Sequence, residues 1–257
     1  MAAFVYARSM LKKLVLLRER VEDWDLYPFS VPVFRKLQDL AFTSRICFFT
    51  GENGTGKSTL LEAIAAHYGF GAEGGNRNFT NNSTHQNLAV SPLVKALRLS
   101  FDRRSGMGFF LRAESFFNVA THIEELGVAK AYGEVQLHEQ SHGESFLALL
   151  FSKFRTNGLF LLDEPEAALS PQRQLSFMVL IHDVLKQHSD AQFIISTHSP
   201  VLLGFPGAQI ISFDEGLLHP VSYEQTSPAQ IVKSFVNNRA AILEELFKET
   251  PFLPYDE

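Results

Sequence analysis

The apolar positions of this chain fall into short unbroken runs and longer periodic stretches, and the two kinds alternate. Unbroken runs stand at Ile46-Cys47-Phe48-Phe49, Gly158-Leu159-Phe160-Leu161-Leu162 and Phe193-Ile194-Ile195, and Gln209-Ile210-Ile211-Ser212-Phe213 is expected as a further strand. Each has strand length, and continuous apolar character suits parallel strands covered on both faces. Further strands are expected over 93–101 and at Gly108-Phe109-Phe110-Leu111-Arg112, while residues 11–20 read equally as strand or short helix. Helical patterns occupy 59–66, a stretch from an N-cap at Ser115 to about Glu125, and 146–151. Ser170-Pro171 opens another with an N-cap serine and a first-turn proline, and it places Leu175, Met178, Ile181 and Leu185 on one core face. Ser227-Pro228 is expected to cap a further helix, and 239–248 the last. The span 69–84, with Gly71, Gly74, Gly75, Asn78, Asn81 and Asn82, reads as an exposed polar loop. The alternation predicts an α/β domain with a largely parallel sheet flanked by helices.

Composition narrows this picture modestly. Of 257 residues, 46% are apolar, which is ample for a packed core, and most of the 24 phenylalanines belong there. The net charge of -5 gives no global field for nucleic acid, though a local basic strip remains compatible with it. The single cysteine, Cys47, cannot form an internal disulfide, which points to a reducing, cytoplasmic setting and makes the Asn81 and Asn82 sequons coincidental. No apolar run approaches the roughly 18 residues of a membrane helix, and Leu14–Leu17 is too short for a secretory core. The expectation is a soluble protein without direct membrane insertion.

Chemistry enters at Gly51-Glu52-Asn53-Gly54-Thr55-Gly56-Lys57-Ser58, a G-x-x-x-x-G-K-[ST] motif between a strand run and a helix that begins around Thr59. Strand, glycine loop and helix together aim backbone N–H groups and a helix dipole at one phosphate group. Lys57 is placed to reach the β- and γ-phosphates and Ser58 to ligate magnesium. Upstream, the cluster Trp24-Asp25-Leu26-Tyr27-Pro28-Phe29 offers Tyr27, then Phe29, as a ring to stack on the base. The absence of an N/T-K-x-D stretch leans towards adenine.

Downstream, Asp163 and Glu164 close a buried run, at the strand end where an α/β sheet gathers ligand groups. Adjacent buried acids need a metal or hydrogen-bond partners. Asp163 is the candidate magnesium partner and Glu164 the group that orients and deprotonates a water. His198 follows the next strand run, within reach of a γ-phosphate or that water. Ser141-His142-Gly143-Glu144-Ser145 begins a helix with a Ser–Glu capping box beside a glycine, which is also an anion site.

The order P-loop, Ser141–Ser145, Asp163-Glu164, His198 resembles the ABC-type ATPase superfamily over about residues 40–215. Asp163-Glu164-Pro165-Glu166-Ala167-Ala168-Leu169-Ser170-Pro171 and Thr197-His198-Ser199-Pro200 look most like bacterial stand-alone predicted ATPases with an AAA-family label and an SMC- or RecF-like head. The resemblance implies one ABC-type domain over 1–257, with a helical subdomain at roughly 114–155 carrying the signature motif. It implies ATP and Mg2+ as cofactors, with Glu164, His198 and Lys57 catalytic and Ser58 and Asp163 on the metal. Gly51–Ser58, Thr59, Tyr27, Ser141 and Gly143 would bind nucleotide. It further implies an ATP-dependent homodimer in which Ser141 and Gly143 cover the partner's γ-phosphate. Two motifs depart from the pattern: His142 and Glu144 replace signature glycines, and Arg112 or Glu114 stands where a glutamine is usual. The implied function is a dimerising ATPase switch in stress, defence or DNA transactions, with nucleic acid or another protein as partner. The alternatives are a transporter ATPase subunit and a nucleotide-gated module with negligible turnover.

Overall fold

The computed structural model describes residues 10–71, 84–103, 107–112 and 142–248, and only the backbone of 84–88 and 142–145 among them. Its frame is a six-stranded sheet in the order β5-β6-β7-β3-β8-β9, formed by Gly108–Arg112 (β5), Gly158–Asp163 (β6), Ala191–Ser196 (β7), Ile46–Thr50 (β3), Gln209–Ser212 (β8) and His219–Pro220 (β9). The first five run parallel and β9 pairs antiparallel with β8. The unbroken apolar runs follow from this burial. Along β3, Cys47 and Phe49 enter one core while Ile46 and Phe48 enter the other, and β6 and β7 alternate in the same way. Both faces are dry, so apart from Gln192 on β7 the polar side chains of β3, β6 and β7 stand at the strand ends. Cys47 is fully buried, and that burial pushes its thiol pKa far up.

A second sheet was not foreseen from the sequence. Leu11–Leu16 (β1) lies between Asp39–Ala41 (β2) and Leu97–Phe101 (β4), antiparallel to both. The ambiguous span 11–20 thus resolves into a strand followed by a 3-10 turn at Arg18–Arg20. Two glutamines stitch the sheets together. Gln192 on β7 pairs through its amide with both backbone groups of Leu11, and Gln209 on β8 does the same for Thr43 N–H and Ala41 C=O. Each amide supplies one donor and one acceptor, which an isolated strand edge lacks.

Helices cover both faces: Pro32–Lys36 (α1), Lys57–Tyr68 (α2), Thr84–Ala96 (α3), His142–Lys153 (α4), Pro171–Gln187 (α5), Pro200–Leu203 (α6) and Ser227–Leu246 (α7). Three sequence expectations change here. The strand expected over 93–101 begins only at Leu97, because 93–96 completes α3, where Leu93 and Ala96 are buried at helical spacing. On α5, Ser170 caps as expected, accepting from Arg173 N–H, but Leu175 is 48% exposed. Ile181 and Leu185 are buried as expected and Met178 packs partly against the core, while Gln174, Phe177, Leu180 and Val184 widen the buried face. The last two helices form one element, capped at Thr226 rather than Ser227 and broken by the non-helical dihedrals of Asn238. No described helix is long and apolar enough to cross a membrane. The helix expected from Ser115, most of the loop over 69–84 and most of the proposed subdomain at 114–155 lie outside the described residues.

Candidate functional site

The carboxyl ends of β3, β7 and β6 are neighbours in the sheet, and the singled-out motifs leave the sheet there. After β3, the loop turns through Gly51, Gly54 and Gly56 with φ of 139°, 79° and 100°. At Gly56 a Cβ would lie 3.1 Å from side-chain atoms of Val33 and of Phe34, so α1 packs directly beneath the loop. At Gly51 it would lie 3.0 Å from Asp214 Oδ1, which accepts the Glu52 N–H at 2.9 Å. The Ser212 hydroxyl donates to the other oxygen of Asp214. Asp214 thus braces the loop from the end of β8, and nothing in the sequence motif pointed to it.

Glu52, Asn53 and Gly54 form the exposed rim, with Thr55 half-buried and donating to Glu52 C=O at 2.8 Å. Lys57 is buried, and its ammonium folds back to donate to the carbonyls of Gly51 at 2.6 Å and Glu52 at 2.8 Å. Burial pushes its pKa down, against the pull of Glu164, Asp163, Asp214 and Glu52. Tyr27 stands beside the start of α2, its hydroxyl 2.9 Å from Thr59 Oγ1 and its ring half exposed. Phe29 is different. It is buried edge-on against Trp24, with ring centroids 5.7 Å apart, and so is unavailable to a base.

On the acid side, Asp163 is buried at the end of β6 and accepts from the Ser58 hydroxyl at 3.0 Å. Burial raises its pKa, opposed by the Ser58 hydrogen bond and by Arg112, with Glu164 adding to the rise. Glu164 has left-handed dihedrals (φ 49°, ψ 52°), unusual for a residue with a side chain. Its N–H donates to Ser196 C=O at 2.9 Å, and its Oε1 lies 3.6 Å from His198 Nε2. The sharp turn therefore swings the carboxylate across β7 towards the histidine. His198 has its pKa lowered, by burial first and then by Lys57.

Glu166 was quoted only as part of a motif, yet it organises the histidine loop. Its Oε1 accepts the His198 N–H at 2.6 Å, and burial pushes its carboxyl pKa up against the pull of hydrogen bonds. Gln174 adds a second tie, accepting from Ser199 Oγ at 2.5 Å and donating to Leu169 C=O. A third acid after Asp163-Glu164 was visible in the sequence, but its partner was not. Arg112, at the end of β5 in register with Asp163, places Nη1 2.7 Å from Glu62 Oε1 and Nε 3.8 Å from Asp163 Oδ2. Glu62 lies on α2 and carried no signal at all.

The donor set fits magnesium: a carboxylate and a hydroxyl, both hard oxygens, already share a hydrogen bond. Among the described residues no three His, Cys, Asp or Glu side chains form a metal cage. A cation here would draw its remaining ligands from phosphate and water, as Mg2+ usually does. Ser141 lies outside the described residues, and Gly143 is described only as backbone in the first turn of α4.

A family model described as "AAA domain, putative AbiEii toxin, Type IV TA system" matches residues 98–204. A second, described as an AAA domain, matches residues 30–146. Among solved structures, the chain is similar to an SMC head domain from Thermotoga maritima at 18% identity and TM-score 0.47, covering 82% of this chain and 98% of that one. It is also similar to cbiO1 from Clostridium perfringens, part of the ABC transporter complex cbiONQ, at 17% identity and TM-score 0.46, covering 82% and 91%. A dimeric bacterial ABC transporter cassette, MJ0796, aligns at 15% identity and TM-score 0.40, covering 73% and 90%. No curated protein matches. Between them the two family models span the glycine loop, the Asp-Glu turn and the histidine loop. Over residues 30–204 the chain is similar to AAA-domain families, and its fold is a mostly parallel α/β sheet flanked by helices with a P-loop at one strand end.

Proposed function

We propose that this chain is a stand-alone, Mg2+-dependent ATPase that works as a nucleotide-driven dimerising switch. The observation that carries the reading is the convergence of Ser58-Asp163 and Glu164-His198 on the strand ends beside the glycine loop. Lys57 would exchange its two carbonyl partners for phosphate oxygens, a change from neutral to charge-assisted hydrogen bonds. Ser58 and Asp163 would hold the magnesium, which supplies neutralisation of the β- and γ-phosphate charge. The Glu164 carboxylate would accept the proton of a water attacking the γ-phosphorus, as the bond to the ADP oxygen breaks. His198 would hold that water or a γ-oxygen, and Tyr27 would stack on the adenine, with Thr59 fixing its hydroxyl.

A second copy would close the site by bringing its Ser141 and Gly143 onto the γ-phosphate, where the first turn of α4 adds its N–H groups. ATP then favours the closed dimer through its differential affinity for that state. The likeness to a family described as a putative toxin of a Type IV TA system supports a stress or defence setting. The test is direct. Glu164→Gln with saturating Mg-ATP should elute as a dimer, while the wild type should release phosphate and return to monomer. A Glu164→Gln protein that stays monomeric would overturn the switch, and a wild type without phosphate release would overturn the ATPase. ATPase assays with and without DNA, at stated salt, would then separate nucleic acid from protein as the partner.

A further inference from the structure

Arg112 is the described cation that reaches Asp163 from outside the glycine loop, and its second carboxylate partner is arranged in a telling way. Its guanidinium lies between Asp163 Oδ2, at 3.8 Å, and Glu62 Oε1, at 2.7 Å. Asp163 offers its other oxygen to Ser58, so the same carboxylate faces a guanidinium on one side and the proposed metal ligand on the other. Glu62 lies one helical turn beyond Ser58 on α2, which puts all four groups in one partly buried cluster. The three charged side chains are 22%, 18% and 7% exposed, so their interactions are screened far less than those of a surface pair.

Charge bookkeeping makes the consequence specific. Without nucleotide, the guanidinium balances Asp163 and keeps its carboxylate turned towards Ser58. With Mg-ATP, a divalent cation arrives within the same cluster, and a guanidinium at 3.8 Å from the shared carboxylate then opposes it. Glu62 already makes the shorter contact, which gives the arginine a place to withdraw to. Resting on the ATPase reading above, we infer that Arg112 is a resident counter-cation that holds Asp163 in place before loading. It then competes with magnesium for Asp163, and Glu62 sets the strength of that competition by drawing the guanidinium away. Arg112 is thus a positioning residue that tunes metal affinity.

The two partners make opposite predictions. In a Glu164→Gln background, which blocks turnover, fluorescent ATP affinity is measured with Mg2+ and with EDTA, and the ratio of the two gives the metal coupling. Arg112→Met removes the competitor and should raise that ratio about tenfold, equivalent to about 1.4 kcal/mol. Glu62→Gln frees the guanidinium to sit on Asp163 and should lower the ratio, by a smaller factor. Arg112→Lys keeps the charge and should stay near wild type. Mn2+ binding to the ATP-loaded proteins, followed by electron paramagnetic resonance, should show the same order. Equal ratios in all variants, or Arg112→Met and Glu62→Gln moving the ratio in the same direction, would reduce the cluster to a structural ion pair and overturn the inference. Should Arg112→Met fold poorly, Glu62→Gln against Arg112→Lys carries the same contrast. ATP failing to bind in Mg2+ and in EDTA alike, with Lys57→Ala indistinguishable from its parent, would instead overturn the ATPase reading.

Discussion

The loop after β3 and the turn after β6 solve one geometric problem in opposite ways. Both reverse the chain abruptly at a strand end, and both need positive φ. The loop meets that need with glycines, so its inner surface is backbone, braced from below by Phe34 and from the side by Asp214. The turn places Glu164 in the left-handed region, where a side chain costs on the order of 1–2 kcal/mol. The surrounding bonds hold it there: its N–H to Ser196, and the histidine loop to Glu166. On the proposed reading, a cradle of N–H groups needs no side chain, whereas a base for water must have one, and it must point across β7. The strain is therefore localised at the residue whose carboxylate direction matters most.

This contrast can be broken at either end. The largest effect is expected at Glu164→Gln, which keeps the shape but loses the proposed base. Phosphate release should fall roughly 100- to 10,000-fold with ATP affinity little changed, and equal turnover would remove Glu164 from the mechanism. Next comes Lys57→Ala, which deletes the buried cation of the loop. Equilibrium titration with fluorescent ATP should show about a hundredfold weaker binding. A third experiment swaps the two solutions. Gly56→Ala puts a Cβ against Val33 and Phe34 at unfavourable φ and should cost about 1–3 kcal/mol in denaturant unfolding. Glu164→Gly should stay within about 1 kcal/mol of wild type because it relieves the strained turn.

The smallest effect concerns pH. The His198 pKa is lowered in the fold by burial and by Lys57. As pH falls below the ordinary histidine value of about 6.5, the unfolded chain takes up a proton that the folded site resists, so this residue's contribution to stability declines. Asp163 and Glu166 have raised values and act in the other direction, since acid relieves the cost of keeping them ionised in the fold. Unfolding curves at pH 7 and pH 5.5 should therefore show a shallower loss, or a larger gain, on acidification in His198→Asn than in wild type. An identical pH dependence would mean that His198 is solvated like a free side chain.

The same contrast explains what the sequence could reveal. The glycine loop is local: eight consecutive residues, their flanking strand and their helix carry the whole geometry. The parallel sheet was equally legible, because burial on two faces forces unbroken apolar runs. The antiparallel sheet was not, since Leu11 is completed by Gln192, 181 positions away in the chain. Nor were the partners of the acids. Glu62, Glu166 and Asp214 look like ordinary charged residues until folding sets them against Arg112, the His198 N–H and the Glu52 N–H. Leu175 was misplaced on the α5 core face because its neighbour Gln174 takes the buried place for its hydrogen bonds to Ser199 and Leu169, which an apolar pattern cannot register.

Cys47 has one further consequence. It is the only cysteine, it lies in the strand that feeds the glycine loop, and solvent does not reach it in the folded state. A thiol reagent can therefore react only when β3 is exposed by opening of the sheet around it, and the rate of labelling becomes a clock for that opening. Because the clock sits three residues before Thr50, nucleotide held by the loop should slow it. Occupancy of the site could then be read from the chemistry of an atom that the nucleotide never touches.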